Sequence, residues 1–397
     1  MVLNNPSFDG EVDIKLTVGD SKNFESTDED VNITNFIVDT SVWGEAGICE
    51  VEFTLSTTSG NPDLESAYLK IAPDKKLEIS VRKPEGKYSK IFTGFVEKIE
   101  VDISSQNSGD AMTKNDNLKF IVYGMDAKLR MMTNIQTQQH DDPKNNKNFS
   151  KIIKEALDKH KSSCGIAGTT VSLSKDFKVK SALCQVNESD YDFFRKMADL
   201  SGSVFFISSD NKAKFGSLTK LSGSKTETFS GKVSEGDMSD IISLNYSASV
   251  YGVPTSVTVE GANETAPSNE KSKIISASVT GSSIDKFNTG KGKSMNTVIS
   301  RNAKTSIAIS MNSVKEKQEM ECRVNAICTN RMSNAVKVQV VTRGRSDVNL
   351  GDKISLKNYG KPIDGQYIVT RIVHYCSSVV QNSYTTTFEL SASKIDI

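Results

Sequence analysis

The sequence has few of the residues that most metal and catalytic sites need. Its 397 residues include only three histidines, one tryptophan and eight prolines, and its six cysteines show no Cys-x-x-Cys spacing. Structural zinc sites need Cys and His ligands in close pairs, so this composition argues against a zinc centre. Scattered cysteines of this kind indicate free, mostly buried thiols in a reducing compartment.

The chain also lacks a charge excess and a long apolar run. Lys plus Arg and Asp plus Glu both number 49, so the formal net charge is zero. That balance argues against a dedicated nucleic-acid-binding protein, which carries a basic excess or stripe. The mean hydropathy is −0.37, and without a run of about 18 apolar residues no transmembrane helix is expected. Residues 1–20 show no basic and apolar leader, so we expect cytosolic assembly, with cell lysis as the route outward.

Both ends of the chain read as β structure. Within residues 1–137, alternating apolar and polar side chains recur in segments such as 48–55, the period of a half-buried strand. Residues 233–397 repeat this pattern, with one helix expected over 315–333. Its apolar stripe consists of Met320, Val324, Ile327 and Cys328, with Glu, Lys and Arg on the other faces. Polar turns between short strands favour an antiparallel sandwich or barrel at each end.

The middle of the chain, residues 138–232, reads as a small α+β insert that follows a polar linker at 134–148. An apolar stripe at helical spacing predicts a helix with one buried face. The stripe consists of Phe149, Ile152, Ile153, Ala156, Leu157 and His160.

A second helix and a buried strand are expected within residues 183–207. Asn187 is a candidate N-cap, with Glu188 and Asp190 in the first turn, where the helix dipole favours negative charge. Gly202 tolerates the left-handed conformation that ends a helix, and residues 204–207 form an apolar strand. The apolar cluster of this segment (Phe193, Phe194 and Met197) reads as core packing, with an apolar ligand pocket as the alternative.

No catalytic, cofactor-binding or metal-binding residue is predicted. Gly292, Lys293 and Ser294 resemble the end of a phosphate-binding loop, but Phe287 stands where that motif needs its first glycine. We therefore expect a flexible basic loop there, and no nucleotide or other cofactor.

The three histidines also favour structural roles. His140 lies beside Asp141 and Asp142, which reads as a solvated linker, with a metal site as the alternative. His160 and Cys164 lack a second ligand pair for zinc. His374 lies in a strong strand pattern and is expected to be a hydrogen-bonded strand residue.

Segment 185–202 resembles a known signature. It fits the pattern Q-x-N-E-S-D-x-x-F-x-x-x-x-A-x-x-x-G, from Gln185 through Phe193 and Ala198 to Gly202. This pattern is found in hub proteins of contractile tails: the late control D proteins of Mu- and P2-like phages, the VgrG proteins of type VI secretion and the hub of T4 phage.

Three further segments resemble words of the same family, in the same order. Segment 344–374 is similar to its run G-x-x-x-L-x-x-G-D…G-x-Y-x-V-x-x-x-x-H, although the spacing between Gly344 and Leu350 differs. Segments 92–96 and 124–126 are similar to its words F-x-G-x-V and G-x-D.

The resemblance implies a mainly β fold with two tube-like β-barrel domains, at 1–137 and 233–397, around an α+β insert at 138–232. It also implies a homotrimeric ring with pseudo-sixfold symmetry, and a structural, non-enzymatic role. The ring adapts a hexameric tail tube to a trimeric spike, at the baseplate of a phage, R-type bacteriocin or related extracellular particle. Its partners are the tail tube protein, the central spike protein and other baseplate proteins, with no nucleic-acid binding and no membrane anchor.

The chain stops at residue 397, without an oligosaccharide-binding-type barrel or β-helix needle. We therefore expect the spike to be a separate polypeptide. Two alternatives stay open: the tail-tip protein of a non-contractile tail, and a tail-associated cell-wall hydrolase. The hydrolase is the weaker alternative because no Gly-x-Ser-x-Gly motif or lysozyme-like segment occurs.

Overall fold

A computed structural model describes most of the chain. The described residues are 12–19, 22–25, 31–55, 68–69, 71–82, 86–104, 117–140, 147–179, 183–223, 225–231, 241–249, 253–262, 274–280, 293–294, 306–310, 317–333, 335–377, 383–392 and 394–395.

The elements up to residue 230 alternate between long strands, short strands and helices. The strands are β1 (Asp13–Val18), β2 (Lys22–Glu25), β3 (Val31–Ser41), β4 (Ile48–Leu55), β5 (Lys76–Arg82), β6 (Ser89–Ser104), β7 (Asn117–Met125), β8 (Ile135–Gln139), β9 (Gly168–Ser172), β10 (Cys184–Ser189), β11 (Val204–Ile207), β12 (Lys212–Gly216) and β13 (Thr226–Ser230). The helices are α1 (Lys128–Thr133), α2 (Phe149–Ser163), α3 (Asp190–Ser201) and α4 (Leu218–Leu221).

The remaining elements are mostly strands. They are β14 (Ile241–Ala248), β15 (Ser256–Ala262), β16 (Ile274–Thr280), β17 (Lys293–Ser294), β18 (Ser306–Ser310), α5 (Lys317–Met332), β19 (Val336–Arg343), β20 (Lys353–Lys357), β21 (Gly365–Ser377), β22 (Ser383–Ala392) and β23 (Lys394–Ile395). The expected mainly β fold is therefore confirmed.

Thirteen strands form one large sheet that is curled like half a barrel. Its order is β14-β19-β22-β21-β3-β4-β7-β6-β5-β1-β2, while β20 pairs beside this path with both β13 and β21. Strands β3 and β21 pair from Asn35 to Ser41. This pairing joins the strands of the first third of the chain to those of its last third in a single hydrogen-bonded ladder.

The two halves of the large sheet repeat one arrangement. The order β3-β4-β7-β6-β5 in the first half corresponds to β14-β19-β22-β21-β20 in the second. The register of β3 on β4 shifts between Ile33 and Asn35. The register of β14 on β19 shifts between Ile241 and Ser243, so β3 and β14 share a β-bulge at the same end.

A second bulge is also repeated. The register of β6 on β7 shifts between Val96 and Lys98, and that of β21 on β22 shifts between Val369 and Arg371. Strand order and bulge positions agree, so the two half-sheets are copies of one structural unit.

The insert consists of a short hairpin-like sheet, a three-stranded sheet and two main helices. Strand β8 pairs with β10, and β12 lies between β11 and β9. The stripe predicted for α2 is confirmed, since all six of its side chains are buried. Phe193, Phe194 and Met197 of α3 lie in the same hydrophobic core, as predicted.

The start of α3 differs from the prediction. Asn187 lies in β10 with a φ of 48°, and Glu188 also belongs to β10. The N-cap is Ser189, whose hydroxyl accepts the Asp192 N–H at 3.0 Å and donates to the Asp192 carboxylate at 2.7 Å. This reciprocal cap satisfies one of the free N–H groups of the first turn, as a capping box does.

The end of α3 agrees with the prediction, and it also marks a close contact between two parts of the chain. Gly202 is left-handed with a φ of 64°. A Cβ atom at Gly202 would lie 2.4 Å from the Cα atom of Ala326 in α5. Glycine is therefore needed here both for the helix end and for the approach of α5.

Helix α5 is buried on two sides. Met320, Val324 and Cys328 of the predicted stripe pack on the small sheet of β15, β16 and β18. Cys322 and Ala326 are also buried, and Cys322 lies against Lys175 of the insert. Helix α5 therefore packs on the small sheet with one face and on the insert with another.

Strand β13, at the end of the predicted insert, pairs in parallel with β20 from Thr226 to Ser230. The domain boundaries at 137 and 232 stay predictions.

Candidate functional site

Most strands of the large sheet are buried on one face and more exposed on the other, although both faces are buried in the first half of β6. On β19, Val336, Val338 and Val340 are buried, whereas Lys337 and Gln339 between them are exposed. On the neighbouring strands, too, successive side chains point to opposite faces of the sheet, so residues paired with Lys337 and Gln339 lie on the same face as they do. We call the side opposite the hydrophobic cores the open face. It includes Lys337, Gln339, Glu389, Arg371, Asp39, Ile37, Glu50, Tyr123 and Lys98.

Charges on the open face are paired across neighbouring strands. Arg371 donates to Asp39 at 2.8 Å and to Glu389 at 3.0 Å, and the hydrogen bond that it donates to Asp39 is the main cause of its raised pKa. A further pair across strands is Lys119 with Glu52 at 3.1 Å, whereas Lys98 pairs with Glu100 along β6 itself. The open face is therefore polar but locally balanced in charge.

A groove on the open face carries the one tryptophan of the chain. Trp43 is 38% exposed and lines a cavity of about 580 Å³ together with Lys337, Gln339, Thr370 and Glu389. Exposed Trp side chains are enriched where proteins bind each other. The groove lies where β19, β22 and β21 meet, so it is a candidate contact for a partner chain.

A buried polar network lies beneath α3 and contains the signature residues. The Asp190 side chain is 1% exposed and accepts hydrogen bonds from three side-chain amides, which belong to Gln136, Gln185 and Asn134. The backbone N–H of Asp190 also donates to the Asn134 carbonyl at 3.2 Å. Gln185 and Asp190 of the signature therefore fix β8, β10 and α3 to one another.

Two of the three histidines border this network. His160 Nδ1 lies 3.5 Å from Asp190 Oδ2, and His140 Nε2 lies 2.9 Å from the Gln185 side-chain oxygen. Burial lowers the pKa of both imidazoles. The His140 ring stacks on Phe193 with 4.2 Å between centroids, so the prediction of a solvated linker is wrong at this residue. Asp141 and Asp142 lie outside the described residues.

The C-terminal signature word is also structural. A Cβ atom at Gly344 would lie 1.8 Å from the Tyr384 ring, so this position needs glycine. The Tyr384 hydroxyl lies 2.9 Å from His374 Nδ1, which confirms His374 as a hydrogen-bonded strand residue.

Arg345, which follows Gly344 in that segment, is buried and forms several hydrogen bonds through its guanidinium. Its guanidinium donates to both carboxylate oxygens of Asp347, at 2.7 and 2.9 Å, and to Glu227 at 3.2 Å. The Phe229 ring lies beneath it, with 5.3 Å from the guanidinium carbon to the ring centroid. Arg345 therefore ties β13 to the loop that precedes β20.

We expect His374 to make the protein less stable in acid. Burial lowers the pKa of His374 to about 3, below its unfolded value of about 6.5. The unfolded chain binds the proton first as pH falls, so stability is full above pH 6.5 and declines towards pH 3. From pH 7 to pH 5 the loss from this residue is about 2 kcal/mol. Urea unfolding at both pH values will show a smaller loss for His374→Gln, and an equal loss would contradict the assignment.

Other sequence candidates do not assemble into a site. Lys293 and Ser294 form the short strand β17, paired with β23, so the expectation of a flexible loop is wrong for them, and Gly292 and Phe287 lie outside the described residues. All six cysteines are free and all but Cys184 are buried, as predicted. Over the described ranges, no group of three His, Cys, Asp or Glu could hold a metal ion, and no helix could cross a membrane.

Sequence reasoning missed the open face and the junction at β3 and β21. The alternation of polar and apolar residues identifies a strand's two faces, but it does not show that the polar faces of seven strands are continuous. The bulges at Asn35 and Ser243 leave no common sequence motif.

Comparison with solved structures identifies the class of fold. The chain is similar over 96% of its length to a tail protein from Neisseria meningitidis, with a TM-score of 0.63, 8% identity and 96% of that chain covered. It is similar to the 43 kDa tail protein of prophage MuSo2 from Shewanella oneidensis, with a TM-score of 0.59, 13% identity, and coverage of 96% of this chain and 98% of that one. The fold is that of phage tail proteins.

A third similar structure comes from a secretion system. It is an E. coli type VI secretion component described as structurally similar to the T4 tail proteins gp27 and gp5. The TM-score is 0.54 and the identity 12%, over 95% of this chain and 76% of that one. No protein-family model matches the chain, and no curated protein matches it in sequence. The expected resemblance to tail hub proteins is therefore confirmed as a likeness of fold.

Proposed function

We propose that this chain is a structural baseplate hub of a contractile injection particle, a phage tail, an R-type bacteriocin or a related system. The observation that carries the proposal is the large sheet, which is buried on one face and polar on the other across two repeated halves. A sheet of this kind can close into a tube wall, with the hydrophobic cores outside and the open face around a channel.

The charge pairs of the open face suit a channel wall. Arg371, Asp39 and Glu389 neutralise one another across three strands. A channel wall whose charged side chains are paired with one another binds neither a polyanion nor a polycation strongly, because such binding depends on unpaired opposite charge. Cargo can therefore pass through the channel, and a tube segment can lie in it, without strong adhesion to the wall.

The particle and partner types rest on the similar structures. Two are tail proteins, and the type VI component is described as similar to T4 tail proteins. We propose a homotrimer with two tube-like domains per chain, at 1–137 and 233–397, and the insert at 138–232. The tail tube protein would lie on one face of the ring, and the spike, a separate chain, on the other. Other baseplate proteins would surround it in a particle that is assembled in the cytoplasm and acts outside the cell.

The assembly state tests this function. We expect the purified chain, alone or together with its spike protein, to elute as a trimer in gel filtration. Negative-stain images should show a ring with a central hole. A stable monomer under both conditions would contradict the proposal.

A further inference from the structure

The edges of β14 and of the second half of β6 in the large sheet have no described partner, as is also true of the outer edges of β2 and β13. Strand β14 ends the sheet order and pairs, within the described part of the chain, only with β19. The second half of β6, from residue 97 onward, pairs with β7 on one side, and no described strand lies on its other side.

The edge of β14 lacks the protection that isolated edges usually have. Its eight residues include no charged residue and no proline, and Ile242 is 58% exposed. Natural edge strands carry lysine, proline or inward charges that prevent pairing with other chains. A long, uncharged edge is therefore suited to a partner strand in the assembled particle.

The internal repeat shows what such a partner looks like. Strand β14 is the equivalent of β3, because Ser243 and Asn35 each follow the shared bulge. The second half of β6 is the equivalent of β21 after its bulge, because Lys98 corresponds to Arg371. Strands β3 and β21 pair with each other inside the chain. Their equivalents, β14 and the second half of β6, each have an edge for which the described residues supply no partner.

The backbone around the second bulge supports this equivalence. The N–H of Asp74 donates to the Val96 carbonyl at 2.8 Å, and the N–H of Gly351 donates to the Val369 carbonyl at 2.9 Å. Both donors have a positive φ, of 67° and 85°. The backbone arrangement that places the edge of β21 beside β3 is therefore repeated around β6.

We propose that β14 of one copy pairs antiparallel with the second half of β6 of the next copy, in the register of β3 on β21. This deepens the proposed hub function and rests on it. A head-to-tail contact of this kind joins each copy to two neighbours, so a rotational arrangement can close into a ring. The large sheet then continues from chain to chain through the contact of β14 with β6.

The register follows residue by residue. Asp39 lies opposite Val373, and their equivalents are Ser247 and Glu100, so Ser247 faces Glu100 of the next copy. In the same way, the pairing of Val38 with His374 places Tyr246 opposite Val101.

The side chains that meet in this register are complementary. On the core side, Leu244 and Tyr246 are only partly buried at the margin of one core, and Ile99 and Val101 are partly buried at the margin of another. At the internal junction the equivalent of Tyr246 is Val38, which is 0% exposed. Pairing would bury the marginal side chains in the same way and extend the apolar layer across the contact.

Disulfide trapping tests the register directly. Opposed residues of antiparallel strands have Cα atoms about 4.5–5.5 Å apart, within the range that a disulfide spans. We expect the full-length Glu100→Cys/Ser247→Cys variant, oxidised in the assembled state, to give covalent oligomers on a non-reducing gel. Each single variant should stay monomeric on that gel. The matched control is Glu100→Cys/Ser243→Cys, which is out of register by four residues, or about 13 Å, and should not link.

The outcomes separate this proposal from the hub function. A ring in gel filtration and images, together with no more cross-linking than in the control, would overturn the strand pairing and leave the hub function standing. A chain that stays monomeric alone and with its spike protein would overturn both.

A charge swap gives an independent measurement. Ser247 is exposed, so substitution there leaves the folded monomer intact. Ser247→Glu places a carboxylate opposite Glu100 and should weaken assembly about threefold per contact, while Ser247→Lys should strengthen it by a similar factor. Equal dissociation midpoints in dilution experiments for the two variants would contradict the register.

Discussion

Phe193→Asp should unfold the insert and abolish assembly. The Phe193 side chain is 1% exposed, stacks on His140 and contacts the edge of Phe194 with centroids 5.5 Å apart. A carboxylate there would lose the aromatic contacts and bury an unpaired charge. We expect a loss of more than about 5 kcal/mol in the free energy of unfolding, near the whole stability of a typical domain. Urea unfolding and gel filtration will measure both effects.

Two controls make this result specific. Val186→Asp adds the same carboxylate to the insert at a side chain that is 65% exposed, and it should change stability by less than about 0.5 kcal/mol. Phe193→Leu keeps the site apolar and should lose about 1–2 kcal/mol. A normal trimer from Phe193→Asp would show that this residue does not support the wall of the ring.

Elements with a strong local period could be predicted from the sequence. The stripe from Phe149 to His160 is buried, as expected. It could be predicted because apolar residues with a 3.6-residue period indicate directly which face of a helix is buried. The strands around Val51 and Phe53 were equally clear, since alternation identifies a half-buried strand. Gly202 was predictable as a helix end because few other residues adopt its φ.

Elements whose burial depends on distant partners could not be predicted. Cys322 and Ala326 of α5 are small and lie among polar residues, and the insert that covers them is far away in sequence. Strand β8 is rich in Gln, a composition typical of a linker, and it is a strand because β10 pairs with it. His140 is partly buried for the same reason, because it follows β8 and the pairing of β8 with β10 places it against Phe193.

The junction of the two half-sheets is the clearest case. Arg371 and Asp39 are 332 residues apart in the sequence, and no local pattern relates them. The same holds for the repeat, because Ser247 stands where the first half has Asp39 and only the backbone register shows the equivalence. Sequence reasoning reached the tail-protein fold through the family resemblance, whereas the surfaces proposed to build a ring could be identified only from the structure.

The signature segment now has a physical explanation that separates folding from partner binding. Gln185 and Asp190 hold the insert together from inside, whereas β14 and the second half of β6 contain no residue of the segments that resemble the family. Conversely, the residues proposed to contact other chains, such as Ser247 and Glu100, lie outside every segment that resembles the family. Substitutions in the two sets should therefore have different consequences.

Asp190→Asn should destabilise the protein although it changes the size of the side chain very little. The Asp190 carboxylate accepts from the amides of Gln136, Gln185 and Asn134. An asparagine has one oxygen and one NH₂ group, so at least one of these donors would face another donor and stay unsatisfied. Leaving buried polar groups unpaired costs about 1–3 kcal/mol each, and more where a charged acceptor is lost. We expect a loss of about 3 kcal/mol, measured by urea unfolding at pH 7.

Asp192→Asn is the matched control, because it makes the same chemical change in the same helical turn. Asp192 accepts only the Ser189 hydroxyl among the side-chain hydrogen bonds that the structure describes for it, and an amide oxygen can accept that bond too. Its loss should stay below about 1 kcal/mol. Equal effects of the two substitutions would show that helix charge matters more than the buried network. An Asp190→Asn protein of normal stability that fails to form rings would instead place Asp190 at a partner contact, against the internal role that its burial indicates.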